Sequence, residues 1–142
     1  MKEFLTVAAT ALLIGLTGCV ASQGSASKNA ITQDGWSVAT TSGREISIER
    51  AYEVNPDCST AGMPYIQAIS GPSNGTISVK SEKLFPNYKS DNIRSKCNSK
   101  IVDGIRVYYK PNPGFTGNDK IVTRLSHTNG TMYESTIDIT VK

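Results

Sequence analysis

The chain has one histidine, His127, and three cysteines in 142 residues. A lone histidine leaves no second imidazole for a metal centre, and neither Cys58 nor Cys97 has another Cys or His close by in sequence. Ser-His-Asp catalysis needs a histidine base. His127 stands beside Thr128-Asn129-Gly130, a turn signal, and is expected to be a solvated turn residue. No glycine-rich loop precedes a helix in the manner of a phosphate cradle, and no Asp-x-Asp cluster offers the six to eight oxygens that calcium takes. Glu49 and Glu53 are the one pair that could be imagined for two-carboxylate glycoside hydrolysis. On a strand and its exit, they are expected to be exposed charges. No catalytic residue, metal site or cofactor is therefore predicted, and the chain is not expected to be an enzyme. Charge of one sign is also lacking. Fifteen basic residues face twelve acidic ones, scattered along the chain, without the clustered basic face that nucleic acid requires. No long apolar run is present either. Phe4 to Leu16 is apolar apart from Thr6 and Thr10, short of the roughly 20 residues of a spanning helix.

That short run has a length suited to a signal-peptide core, with Lys2 in front. Glu3 departs from the usual basic start. The run closes on Leu16-Thr17-Gly18-Cys19. This resembles the lipobox of bacterial lipoproteins. The resemblance implies cleavage before Cys19, a signal peptide over 1–18, and several acyl chains on Cys19, palmitate among them. More than one chain makes membrane anchoring stable. Val20, rather than Asp, follows Cys19. In Gram-negative lipoproteins Asp at that place commonly marks inner-membrane retention, so the expected location is the cell envelope, at the outer membrane. Residues 20–30 are small and polar without periodicity, and 19–34 is expected to be the lipidated cysteine with a flexible linker.

With Cys19 assigned to lipid, Cys58 and Cys97 remain. In an oxidising compartment they most simply form one disulfide, the alternative being two free thiols. The bridge would close a loop of about 40 residues and stabilise by around 4 kcal/mol in the chain-entropy model.

From Trp36 onward apolar residues alternate with polar ones, interrupted by turn residues. Candidate strands are Trp36–Thr40, Arg44–Arg50, Pro64–Ile69, Thr76–Lys80, Ile105–Lys110, Lys120–Ser126 and Met132–Val141. Ser42-Gly43, Asn74-Gly75 and Asn129-Gly130 supply turns. Ser81 to Asp103 is less regular and is expected to be a long loop held by the disulfide. About seven strands and no helix predict an all-β sandwich over 35–142. Its expected core is Ile46, Ile48, Ile66, Ile77, Val79, Val107, Ile121, Leu125, Ile137 and Ile139, with Trp36 capping one end.

The segment from Tyr108 to Ile121, Tyr-Tyr-Lys-Pro-Asn-Pro-Gly-Phe-Thr-Gly-Asn-Asp-Lys-Ile, resembles a recurrent motif of bacterial Ig-like and cadherin-like domains. That family carries an aromatic where Ile121 stands here. Gly71-Pro72-Ser73-Asn74-Gly75-Thr76-Ile77 is similar to its upstream hairpin. The resemblance covers residues 69 to 141 and implies a fold rather than an activity. Pro111 and Pro113 cannot donate ladder hydrogen bonds and should end a strand. Phe115 is placed to plug the corner. Asp119 is placed to accept backbone N–H groups across the turn, its alternative being a calcium ligand. Phe85, Tyr88, Lys89, Arg94 and Lys96, grouped around Cys97, form a candidate recognition loop of aromatics and cations. The expected function is a non-enzymatic envelope lipoprotein that binds a protein or a glycan, such as an accessory subunit of a surface or secretion assembly. The alternative is an inhibitor of an envelope-acting enzyme such as lysozyme.

Overall fold

The structure, a computed structural model, describes residues 31–142. Cys19 and the 1–18 segment lie outside the described residues. Eight strands follow in order: β1 (Thr32–Thr40), β2 (Ile46–Val54), β3 (Thr60–Gly62), β4 (Tyr65–Ser70), β5 (Gly75–Leu84), β6 (Val102–Pro111), β7 (Gly117–Ser126) and β8 (Met132–Val141). A single 3-10 turn, Ser95–Ser99, lies between β5 and β6. One sheet has the order β1-β8-β7-β4 and the other β3-β2-β6-β5. The first and last strands pair in parallel, and every other pair is antiparallel. The chain is an all-β sandwich. Among the described residues no helix is long and apolar enough to cross a membrane.

The core follows the period-two rule, since successive side chains on a strand point to opposite faces. Ile137, Ile139 and Val141 of β8 are buried while Asp138 and Thr140 face water. Ile105, Val107 and Tyr109 of β6 meet Ile121 of β7, Ile66 of β4 and Ile48 and Ala51 of β2. Each fully buried aliphatic contributes about 1.5–3 kcal/mol. Ile46, Ile77 and Leu125 pack against this cluster only partly buried. Val79, expected in the core, is 48 % exposed. It sits beside buried Val107 but on edge strand β5, with no neighbouring strand to shield its far side. Trp36 is half-buried, and its indole Nε1 donates to the carbonyl of Ile48 at 3.0 Å. That bond ties β1 of one sheet to β2 of the other.

Three segments differ from expectation. β1 starts at Thr32, because its parallel ladder to β8 begins at Thr32↔Tyr133. β5 and β6 extend the irregular region's flanks to Leu84 and Val102, leaving a loop of 85–101. The three-residue β3 was not expected from the sequence. It follows a tight turn in which Cys58 N–H donates to Asn55 O and Asn55 N–H to Ser59 O. Cys58 takes positive φ there, uncommon for a residue with a side chain.

Cys58 and Cys97 are bridged, with Cα atoms 5.4 Å apart. The bridge pins the 85–101 loop over Val54, Leu84 and Val102, which with Cys97 form a second, smaller cluster. Tyr52 and Tyr88 meet edge-to-face at 5.3 Å beside it. Arg94 Nε donates to Val54 O at 2.7 Å, and Asn98 exchanges hydrogen bonds with the backbone of Tyr88.

At the opposite end Asp119 is buried and accepts four hydrogen bonds. Ser73 N–H and Lys120 N–H reach Oδ1, and Asn74 N–H and the Tyr109 hydroxyl reach Oδ2, all at 2.9 Å. Burial pushes the carboxyl up, but the three N–H groups and the hydroxyl outweigh it and hold the group below its ordinary value. Burial, and then the Asp119 carboxylate, raise the Tyr109 phenol in turn. The expected role across the turn is the one found, and both oxygens are committed to protein donors rather than left open to a cation. Phe115 is half-buried against the core.

Two outcomes are expected. Asp119→Ala strands four buried or part-buried donors and should cost about 3 kcal/mol or more. Its native carboxylate stabilises above the unfolded carboxylate range and loses that contribution as pH falls through its lowered folded value, so the variant's melting temperature should depend less on acid. A variant as stable and as acid-sensitive as the native chain would deny Asp119 this role. Cys58→Ser should lower the melting temperature by an amount that matches reduction of the native chain, read by calorimetry. An unchanged temperature would mean the bridge adds nothing.

Candidate functional site

The two sheets are sealed at the Asp119 end and part at the other. Below the Ile121–Ile137 pair the inward positions of β7 and β8 turn polar. Thr123 and Ser135 are cross-strand partners, and both are buried. Facing them is Glu49, also buried. A bulge between Ser47 and Glu49 breaks the alternation, so that Ile48 and Glu49 are both buried. Thr123 Oγ1 donates to Glu49 Oε2 at 2.7 Å. Burial pushes the Glu49 carboxyl above its ordinary value, and the Thr123 and Ser135 hydroxyls counter only part of that push. The expectation of an exposed Glu49 is thereby overturned, and the bulge is the reason.

Outward from this polar layer lies a cleft with three adjoining compartments of about 430, 550 and 690 Å³. His127 lines all three. The first compartment has Trp36, Glu49, Arg50 and Tyr133 in its wall, the second Tyr52, Tyr88, Arg94 and Tyr133, and the third Asp34, Trp36, Arg50 and Tyr52. Aromatic rings therefore alternate with charges of both signs. Clefts of this size with a few fixed polar groups are where small ligands bind.

Several walls are fixed before any ligand arrives. Glu53 Oε1 lies 2.8 Å from His127 Nδ1 and accepts from Thr128 N–H at 3.0 Å. Its Oε2 accepts from the Thr128 hydroxyl. Burial raises the Glu53 carboxyl, but the Thr128 hydroxyl and N–H, followed by His127, lower it further, and it lies below its ordinary value. The His127 ring stands edge-on to Tyr133 at 5.6 Å between centroids. Gly62 is packed so closely on Thr128 that a Cβ there would collide with its side chain. Tyr52 hydroxyl accepts from Asn87 N–H at 2.6 Å, and Trp36 is held through its indole as above. Neither Glu53 nor His127 is the solvated residue expected. Both close the loop 127–131 onto β2 and β3.

The five residues of the expected recognition loop separate. Tyr88 and Arg94 turn into the cleft. Phe85, Lys89 and Lys96 are exposed away from it. Trp36, Glu49, Arg50, Tyr52 and Tyr133 were missed as cleft residues, since they reach it from three different strands. The one local signal was polar Thr123 and Ser135 at inward positions of otherwise apolar strands. Among the described residues no group of three or more His, Cys, Asp or Glu is placed to hold a metal.

No family model matches the chain, and no curated protein matches it. The solution structure of amebosin is similar at 13 % sequence identity and a TM-score of 0.39, over 79 % of this chain and 98 % of that one.

Glu49→Gln tests the polar layer. A carboxyl with a raised folded value costs stability as pH climbs from the unfolded range of about 4.3 through that raised value. Gln keeps an acceptor for Thr123 without the charge. The variant should gain melting temperature over the native chain at neutral pH, and the gain should vanish near pH 4. A gain that does not change with pH would show that Glu49 titrates as an ordinary surface carboxyl.

Proposed function

We propose that this chain is a non-enzymatic binding module of a bacterial cell envelope, an Ig-like or cadherin-like domain held at the outer membrane by lipid on Cys19. The strand order supports the Ig-like part. β8-β7-β4 faces β2-β6-β5, which corresponds to the G-F-C and B-E-D sheets of constant-type Ig sandwiches, with β1 added beside β8. The motif from Tyr108 to Ile121 forms the β6–β7 corner, where Tyr109 and Asp119 meet. The lipobox carries the anchoring.

The observation that carries the binding role is the prearranged cleft, four aromatic rings and charges of both signs above a polar floor in an otherwise apolar sandwich. Glu53 fixes the His127 ring through Nδ1 and accepts from the Thr128 hydroxyl, so this wall of the cleft is held in place. Prearranged side chains lower the ordering cost of binding.

The test has two parts on the protein from its native membrane. Mass spectrometry of the N-terminal peptide should find it starting at Cys19 with acyl chains attached. An unmodified peptide that begins at Met1 would overturn the anchoring. A photo-reactive residue at Tyr88 should then cross-link a partner in cells, while the same group at Lys142, at the sealed end, should not. Equal capture from both positions, or none from Tyr88, would remove the cleft from recognition. A hydrolase captured at Tyr88 would favour the inhibitor role.

A further inference from the structure

The exposed apolar side chains of this domain are not spread evenly. Of the eight large exposed ones among the described residues, Ile31, Met63, Tyr65, Phe85, Ile93 and Ile101 lie at one end, the end opposite Asp119. Only Ile69 and Val79 lie elsewhere. The register fixes this placement. Thr32 pairs with Tyr133, Tyr65 with Ser126, and Leu84 with Val102, so Ile31, Tyr65, Phe85 and Ile101 all adjoin the outermost rungs there. The Glu53 bonds to His127 and Thr128 show that these rungs of the two sheets share one end. Ile93, Ile101 and Phe85 are 68 %, 61 % and 53 % exposed, and all belong to the disulfide-braced 85–101 loop.

That loop is also basic. Lys89, Arg94, Lys96 and Lys100 stand against a single acid, Asp91. Lys89, Lys96 and Lys100 are exposed. Exposed apolar groups among cations match an interface with anionic headgroups, which attract each nearby Lys or Arg. The chain also enters the domain at this end. Residues 20–30 separate Cys19 from Ile31 and can span at most about 40 Å.

We propose that this end seats the domain on an anionic phospholipid surface, with Phe85, Ile93 and Ile101 entering the interface and the lysines meeting headgroups. The proposal rests on lipid at Cys19. The bridge to Cys58 and the Arg94–Val54 bond hold the loop in shape, so seating needs no folding of the loop.

The test uses the lipidated chain in nanodiscs of phosphatidylethanolamine and phosphatidylglycerol carrying a paramagnetic headgroup lipid, with methyl signals read by NMR. Ile93, Ile101 and Met63 methyls should broaden beyond detection, while Ile77, near the sealed end, should be unaffected. In discs of phosphatidylcholine alone the effect should fall severalfold. An Ile93→Glu, Ile101→Glu chain, its fold checked by unchanged core signals, should stay on the disc but lose the gradient at Met63. Even broadening across the domain, or a Met63 gradient that survives the double substitution, means the tether alone holds the domain and overturns the seating. A chain that does not stay with the discs overturns both the seating and the lipid anchor.

Discussion

One buried carboxylate sets the form of this sandwich. Asp119 lies on β7 of one sheet and accepts from Tyr109 of the other and from the turn that leads into β5. Four donors converge on two oxygens, so the charge is compensated without a cation. Hydrogen bonds to charged groups are worth about 1.5–3 kcal/mol each, and these hold together segments far apart in sequence. With that end fixed, the aliphatic layer of Ile121, Ile137, Ile139 and Val141 can close over Tyr109, which is fully buried. At the other end the sheets are linked by Glu53 of β2, which holds the β7–β8 loop through His127 and Thr128 rather than reaching the facing sheet's core.

The two ends therefore treat a buried acid in opposite ways. Asp119 is held below its ordinary value by N–H donors, whereas Glu49 is pushed above its own by burial. Two hydroxyls are weak compensation for a desolvated carboxylate. An aliphatic residue at position 49, facing Val and Leu in place of Ser135 and Thr123, would extend the core and stabilise the domain. The chain instead carries a polar layer below a cleft. Departures from apolar packing that cost stability are expected at sites with a function. The disulfide offsets part of the cost, since its 39-residue separation constrains the unfolded chain.

Much of this was legible in sequence wherever one residue's neighbours determine its side. The alternation of β8 and the task of Asp119 followed from local pattern and turn chemistry, and the pairing of Cys58 with Cys97 from the cysteine count in an oxidising compartment. The bulge at Ser47–Glu49 did not, because one inserted residue reverses the face of Glu49 and leaves no compositional mark. Tyr109 was hidden by its neighbour. In Tyr108-Tyr109 only parity against Val107 decides which ring is inside, and Tyr108 faces out to Glu82. His127 looked solvated because its partner Glu53 is 74 residues away in sequence. The cleft was illegible for the same reason, with walls drawn from β1, β2, β8 and the 85–101 loop.

The division between ends follows from the order of the strands. β1 and β8 pair in parallel, so the chain enters at the splayed end, through Ile31, and leaves beside the sealed end at Lys142. Whatever precedes Ile31 therefore acts on the splayed end first. The same end carries the braced loop, its exposed Phe and Ile side chains, and the nearby cleft. A free loop of that composition would risk collapse onto its own apolar groups. The bridge to Cys58, the Arg94–Val54 bond and the Tyr52–Tyr88 contact prevent this by spending the loop's inward residues on the second cluster. What is left outside is a fixed apolar and basic surface, and its exposure is a consequence of how the loop is held rather than of loose packing.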